Sequence, residues 1–597
     1  MRVSSFSTVP YIPPIVPPAV PEPAAPPPSD ARFLPFGAQA FDEARVRDVP
    51  VLLFISDAPP ALTDAALRMQ IAERTVPVWL YPGMRPDVEL LCQRAGALFS
   101  DEGALPLCAL MLDDARVFLA APLPPAGFAL EPSRLYVWLS QADRRFAQNR
   151  DAFIRQAAQT LRSFHAEPLR KPYAPHDAAH DLARALLAVH DPINGGFGKI
   201  KQPLCPALRF LSRAAQHDRQ ARAVLDQTLE AMLASDLYDP LDGAFFRAAL
   251  TEDWRAFVPE KPLGVNALLA LTLLESGRRA EAVRALDFML SACSVPGGAL
   301  TPCLTYDKAG CAFTPEQVCA ALGGEDGLRA CRLLGLRRQY AGPPPSVTPS
   351  RFSPVEEDSH ADAPRTPTLP KLLTPEDAAF LRRVTPRLLR VRAARTPPTA
   401  APCILSEDCA LAAAVFALCG RRLGESRYVQ AAQRAVGYLA ALSPEGGLPP
   451  SYSPVSALNA QLTCGAGAAL ALALLTLGQD EALHTYRESG LRLLGAALHA
   501  FTLETGMPMH TPQDAAAFFP RIPAIFDSEL PSPAALLLHA LALADAFRPQ
   551  AGYRDAAHTL WAAAAPYAHS QPLACAALID AADFTLSESR EAPPRPR

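Results

Sequence analysis

Residues 236–266, DLYDPLDGAFFRAALTEDWRAFVPEKPLGVN, are packed with glycine, rings and charges in a chain that otherwise reads as Ala- and Leu-rich helix. This stretch offers carboxylates at Asp239 and Glu260, cations at Arg247 and Lys261, an amide at Asn266, and rings at Tyr238 and Trp254. Two carboxyl groups flanking a reacting carbon divide acid from base work, and glycoside hydrolysis sets them roughly 5–10 Å apart. Tyr238 and Trp254 are of the type that stacks on sugar rings, and Arg247 can clamp a hydroxyl or an anion. Asp527, in FDSELPSP, is a third acid to weigh with Asp239 and Glu260. Each residue also has a purely structural reading. Asp239 precedes Pro240 and can cap a turn, Glu260 and Lys261 can pair with other loops, and Trp254 can plug a core.

Other chemistries find less support. His176 and His180, in PHDAAHDLA, stand four apart and could face one way around a metal. The glutamate of an H-E-x-x-H motif is missing, however, and no third ligand is evident. A solvated first helical turn, with Asp177 favouring the dipole, is the simpler expectation. The twelve histidines are scattered and no G-x-S-x-G occurs, which removes a hydrolase elbow. The thirteen cysteines form no C-x-x-C, and Cys303, Cys311, Cys319 and Cys331 are too widely spaced for a metal knuckle. Buried free thiols in a reducing cytosol are expected, with no cofactor and no metal.

The elements that would position such residues fall into two parts. At 597 residues, half of them apolar, the chain is too long for one core. Its 56 basic and 60 acidic residues give a net charge of -4 without a basic cluster, which argues against nucleic-acid binding. No apolar run is long and unbroken enough to span a membrane; LTCGAGAALALALLTLG (462–478) reads as a buried bundle helix. Ten prolines in the first thirty residues predict a flexible, partly polyproline-II tail over 1–32.

Residues 33–140 alternate apolar β-type runs (49–56, 76–82, 105–112, 115–122) with helical stretches (61–75, 86–99). Strand–helix–strand–helix–strand–strand is the order of a thioredoxin-like domain. Pro106 opens the third of these runs after the two helices, where that fold commonly holds a cis-proline. From 150 to 590 helix follows helix, separated by related loops: NGGFG (194–198), DGAFF (242–246), PGGAL (296–300), EGGLP (445–449) and TGMPM (505–509). Their glycines recur at about fifty residues or near multiples of it, the length of a helical hairpin. Six hairpins closing on themselves would make an (α/α)6 toroid of the six-hairpin glycosidase type; an open solenoid is the alternative. A Pro/Ser-rich insertion is expected at 341–375.

Several of these stretches resemble an uncharacterised family that joins a thioredoxin-like domain to an α/α toroid, the YyaL-like or spermatogenesis-associated type. DPINGGFGKIKQPLCPALRFLSR (191–213), the 236–266 stretch, FDSELPSP (526–533), PFGAQAFDEARVRDVPVLLFIS and Arg85-Pro86-Asp87 carry the likeness. The resemblance implies a funnel at one end of the toroid where a carbohydrate or other small polar ligand could bind. It also implies a C-x-x-C-type motif in the first domain, but the two cysteine positions fall on Pro60 and Thr63. Thiol–disulfide exchange needs a thiolate, so that window is redox-inactive. In the toroid, Val258 and Val265 stand where the family has His and Asp. The expectation is a binding or scaffold protein with a docking module for a protein partner. A carbohydrate-active enzyme, hydrolase or isomerase-like, working in the funnel is the alternative.

Overall fold

The computed structural model describes residues 33–60, 62–99, 105–125, 131–336, 367–368, 374–443, 447–453, 462–513 and 519–587. The Pro-rich tail and nearly all of the Pro/Ser-rich insertion lie outside them.

The first unit is a five-stranded sheet with helices on both faces. Its elements run β1 (Leu34–Pro35), α1 (Ala38–Arg47), β2 (Val51–Ile55), α2 (Ala65–Arg74), β3 (Val76–Leu80), α3 (Pro86–Phe99), β4 (Leu107–Met111), β5 (Val117–Pro122), α4 (Pro132–Gln148) and α5 (Arg150–Arg162). The spatial order is β1-β3-β2-β4-β5; β1, β3 and β2 are parallel, and β4 and β5 are antiparallel to their neighbours. Strand residues alternate faces. Val51, Leu53 and Ile55 pack with α1 and α3, while Leu52 and Phe54 pack with α2 and α4. α5 lies against β5 and α3, so the helices that belong to the sheet continue to Arg162, beyond residue 140. α2 begins at Ala65 rather than 61, because the Asp64 carboxylate accepts from Leu67 N–H (2.7 Å) and caps it. The Leu105–Pro106 peptide is cis.

The rest of the chain winds through helical hairpins: α6 (Pro175–Val189), α7 (Cys205–Ala214), α8 (Arg219–Leu233), then three short strands β6 (Tyr238–Asp239), β7 (Ala244–Phe245) and β8 (Glu260–Pro262), followed by α9 (Leu263–Glu275) and α10 (Arg279–Ala292). A side lobe follows, with β9 (Cys303–Thr305), α11 (Lys308–Cys311), α12 (Pro315–Leu322), α13 (Gly324–Leu333) and α14 (Pro375–Arg395). The periodic reading passed over this lobe. Its core joins Phe313, Val318, Cys331, Phe380 and Leu388. After β10 (Thr399–Ala400) and β11 (Ile404–Leu405), the hairpins resume with α15 (Ser406–Leu423), α16 (Ser426–Ala441), β12 (Tyr452–Ser453), α17 (Cys464–Leu477), α18 (His484–Phe501), α19 (Pro533–Phe547), α20 (Tyr553–Ser570) and α21 (Ala576–Leu586).

Helix contacts close a ring. α7 touches α9, α9 touches α15, and the chain of neighbours continues through α17, α19 and α21 back to α7. α6, α8, α10, α16, α18 and α20 form the outer layer, so this part is an (α/α)6 toroid. The inner helices α9 and α17 are buried on nearly every side, and their sequences are apolar all round for that reason. In α9 every residue from Leu263 to Leu273 is buried, and in α17 the Ala/Gly-rich face lets neighbouring helices approach closely.

The repeated glycine loops connect outer helices to inner ones. A short antiparallel pairing pinches four of them, at His190↔Phe197, Tyr238↔Phe245, Ser294↔Leu300 and Thr502↔Pro508, while EGGLP (445–449) lies partly outside the described residues. Gly243 shows why the residue must be glycine. Its φ is +81°, and a Cβ there would stand 2.5 Å from Cβ of Arg284 on the next outer helix. Gly506 makes the same close approach to Thr559 of α20.

Candidate functional site

The first unit sits on the ring at the end where the inner helices begin. Arg94 donates to Gln571 (2.7 Å) just before α21 and covers Phe164 and Phe526. Gly83 abuts Leu405 just before α15. Arg85 and Asp87 form a buried bidentate pair (2.9 and 2.6 Å), and the guanidinium lies 5.0 Å from the Phe36 ring and 5.2 Å from that of Phe519. One apolar core runs from the sheet into the ring. The first unit is therefore a fixed roof over the ring mouth rather than a tethered neighbour.

Beneath this roof, carboxyl groups from both units converge. Asp57 follows β2, at the end of parallel strands where open α/β sheets place ligands. Its turn is held by Ser56 Oγ donating to Ala58 O (2.7 Å) and Trp79 Nε1 donating to Ser56 O (3.0 Å). The Asp57 carboxyl lies close enough to Glu260 on β8 for the two groups to interact. Arg247 donates through Nε to Glu260 and through Nη1 to Glu529, while its backbone N–H donates to Glu260 O (2.7 Å). Glu89 of α3 and Asp408, in the first turn of α15, lie within the field of Glu529, and Glu407, set against Gly465 of α17, adjoins Asp408. Protein surrounds these groups, yet Asp57, Glu89, Arg247, Glu407, Asp408 and Glu529 keep accessible surface. They form a polar junction between sheet and ring, the chamber, which reaches solvent on the side of Glu529 (37% exposed side chain).

Electrostatics divides the acids. Burial, then the hydrogen bond and charge of Glu260, pushes Asp57 up to about 8. Burial pushes Glu89 and Glu407 up to about 8 and, with the charge of Glu529, Asp408 up to about 7. Burial would also raise Glu260, but Arg247 overrides it and holds that carboxyl below its ordinary value. The chamber thus combines carboxyls whose burial favours the protonated form (Asp57, Glu89, Glu407, Asp408) with Glu260, which Arg247 favours in the ionised form, and one guanidinium.

Of the residues singled out in the sequence, only Glu260 and Arg247 line this chamber. Lys261, next to Glu260 on β8, points to the opposite face of the strand. There it meets Asp239 and Asp242 (2.6 Å each), and Arg392 of α14 closes the network on the same two carboxylates (2.5 and 2.8 Å). Asp239 also accepts from Leu241 N–H (3.0 Å), which is the turn-capping role. Burial would raise Asp239, but Arg392 and Lys261 hold it well below the carboxylate range. Tyr238 is buried, with its ring 4.9 Å from that of Phe245 and its hydroxyl pushed up to about 12 by burial. Asn266 spends its amide on Phe245 N–H (2.7 Å), Phe245 O (3.0 Å) and Pro262 O (2.8 Å).

Trp254 is a plug rather than an exposed platform. It is 2% exposed, donates from Nε1 to Asn194 O (2.9 Å), and lies against Gly196 and Lys201. Lys201 in turn grips Asp191 (2.7 Å) and Gly195 O (2.9 Å), so the 191–213 and 236–266 stretches dock on one another. Asp527 accepts from Ser532 N–H (2.8 Å) and Ala577 N–H (2.7 Å), tying its loop to the first turn of α21; burial lifts it to about 7. His176, Asp177 and His180 are exposed on the first turns of α6. Among the described residues no group of three or more His, Cys, Asp or Glu is placed to hold a metal. No helix among them is long and apolar enough to cross a membrane.

Pro60 and Thr63 lie between β2 and α2, with Thr63 exposed. Cys92 and Cys108 are buried, and burial raises both thiols, Cys108 to about 12. Sequence reasoning passed over Asp57, Glu89, Glu407, Asp408 and Glu529. The adjacent acids at 407–408, directly before the apolar run 409–420, were a usable signal, since two carboxyls opening a buried helix need polar surroundings. Asp57 and Glu529 carried no comparable local mark.

No known family model matches the chain, and no curated protein matches it. Among solved structures it is similar to a D-mannose isomerase (TM-score 0.41, 9% identity, 65% of this chain and 85% of that one). It is similar to the cellobiose 2-epimerase of Spirochaeta thermophila DSM 6192 (0.39, 14%, 65% and 84%). A third likeness is to a family 76 glycoside hydrolase from a bovine Bacteroides thetaiotaomicron strain (0.38, 7%, 69% and 77%). These are distant likenesses, and the ring described above rests on its own helix contacts.

Proposed function

We propose that the chamber between roof and ring binds a small uncharged polyhydroxylated molecule of the sugar class. The observation that carries this reading is the convergence of Asp57, Glu260, Arg247 and Glu529, drawn from both units. A hydroxyl both donates and accepts. A lining that mixes carboxyls favoured in the protonated form, the Glu260 carboxylate and one guanidinium offers it both partners at once. An anionic ligand would meet several carboxyls and a single cation already bridged to two of them.

In the same reading the first unit is a thioredoxin-like fold without redox chemistry, supported by its strand order and by Pro60 and Thr63 in place of cysteines. It serves as the roof of the chamber. A ligand-free scaffold is the second reading. The saturated network of Asp239, Asp242, Lys261 and Arg392 favours it, because those residues have no capacity left for a ligand.

Thermal shifts against a panel of neutral mono- and oligosaccharides, with glucuronate as the anionic comparison, separate the two. The expected result is stabilisation of a few degrees by one or more neutral sugars, lost in Arg247→Ala, with no shift from glucuronate. No shift from any sugar leaves the scaffold; a shift from glucuronate alone overturns the charge argument.

A further inference from the structure

In one sector of the ring mouth, buried polar atoms stand without a hydrogen-bond partner among the described residues: Nδ1 and Nε2 of His510, Oγ of Ser406 and Oγ of Ser451. The three residues are 4%, 0% and 3% exposed, so bulk water does not serve them. Buried polar groups are ordinarily paired, and an unmatched one carries its full desolvation penalty.

Backbone hydrogen bonds bring these residues to one place. Ser406 N–H, at the start of α15, donates to Ser451 O (2.9 Å). His510 O accepts from Cys464 N–H (3.0 Å) at the start of α17, the ring neighbour of α15. Glu407 bridges the two helix starts, because its carboxyl lies over Gly465, where a Cβ would collide with both oxygens. His510 N–H donates to Ile522 O (3.0 Å), and Phe519, three residues earlier, lies 5.2 Å from the Arg85 guanidinium of the roof. The sector is therefore the ring side of the chamber, directly under the first unit.

The chemistry of His510 restricts what it can receive. Burial, with Arg85 adding to it against the pull of Asp87, pushes the imidazole down to about 4. The ring is neutral at ordinary pH, so one nitrogen donates and the other accepts. The two nitrogens diverge, and no single ligand atom reaches both. A hydroxyl serves either one, so a diol satisfies the pair. A carboxylate or phosphate has no proton for the accepting nitrogen and would also face Glu407.

We propose that this sector is the floor of the ligand site: His510 binds two hydroxyls of a neutral polyol, one at each ring nitrogen, and Ser406 and Ser451 bind further ones. This rests on the reading of the chamber as a polyol site and assigns the residues that select a diol.

The test measures the affinity of the full chain for D-glucose, D-galactose, D-mannose and N-acetyl-D-glucosamine by calorimetry, together with the melting temperature without sugar. His510→Phe removes both nitrogens and keeps a ring. It should weaken the best-bound sugar about tenfold or more, while the sugar-free melting temperature stays level or rises, because two unmatched groups are gone. Ser406→Ala and Ser451→Ala should each weaken the same sugar several-fold with no loss of melting temperature. Trp254→Phe, outside the sector, should bind as the parent does. Parent-like affinity in His510→Phe overturns this proposal while leaving the chamber reading intact, and so does a drop in melting temperature at unchanged affinity. If His510→Phe does not fold, the two serine variants decide: unchanged affinity in both overturns it. A parent that binds none of the four sugars removes the chamber reading and this proposal together.

Discussion

Glu260 and Lys261 are adjacent on one short strand, yet they serve opposite faces of the molecule: the first faces the chamber, and the second lies fully buried, 2.6 Å from Asp239. The strand β8 thereby separates a polar chamber from a saturated internal ion-pair network. A buried pair contributes little net stability when intact, but removing one partner strands the other charge.

Lys261→Met should accordingly cost about 3–5 kcal/mol, because Asp239 and Asp242 would then share Arg392 alone. Denaturant unfolding followed by tryptophan fluorescence reads this. Glu260→Gln keeps the side-chain shape and one acceptor and should cost clearly less. Equal losses for the two substitutions would contradict the division of faces.

Stability should peak on the acid side of neutrality. Asp57, Glu89 and Glu407, at about 8, and Asp408, at about 7, lie above the ordinary carboxyl values of 3.8 and 4.5. Groups raised in this way stabilise fully below their ordinary values, and that contribution is gone once pH has passed their folded values. Asp87, Asp239 and Glu260 are held low and act in the opposite sense, losing their contribution as pH falls below about 4. Melting temperature should be highest near about pH 5 and decline toward pH 9. Glu407→Gln should flatten the alkaline decline. A melting temperature that climbs steadily from pH 5 to 9 would rule out the buried-acid chamber.

Much of this architecture is legible from residues. The unbroken apolar run at 51–55, the all-round apolar helices and the spaced glycines are each marked in the local sequence. The site is less so, and for a physical reason. Asp57 and Glu260 lie about two hundred residues apart and meet only because the sheet docks on the ring. No spacing rule can register that. The side lobe was passed over because its helices pack among themselves instead of repeating the hairpin. Trp254 shows the converse problem: an aromatic ring in a loop has the same letter whether it faces a ligand or a core.

Trp254 now has a specific structural role to test. Trp254→Ala removes a buried ring and leaves Asn194 O without its donor, so a loss of about 3–5 kcal/mol is expected. Neutral-sugar shifts, where present, should persist in the folded fraction, since the ring is remote from the Asp57–Glu260 contact. Loss of binding at unchanged stability would return Trp254 to the role of a stacking platform.

Asp527 offers a final distinction between an acid used for chemistry and one used for architecture. Both of its oxygens accept backbone N–H groups, from Ser532 before α19 and from Ala577 in the first turn of α21. One carboxylate thus pins the starts of two neighbouring inner helices, and its backbone N–H donates to Ala574 O (2.8 Å). Asp527→Ala leaves two enclosed donors unpaired, at a cost of about 1–3 kcal/mol for each buried group left unsatisfied. Asp527→Asn retains one acceptor and should fall between the variant and the parent. Hydrogen exchange at the Ala577 amide reads the effect locally, and protection there should drop in both variants. Sugar-induced shifts should survive in Asp527→Asn, because the carboxyl oxygens are both spent on backbone N–H groups. If they are abolished while Ala577 stays protected, Asp527 belongs to the site after all.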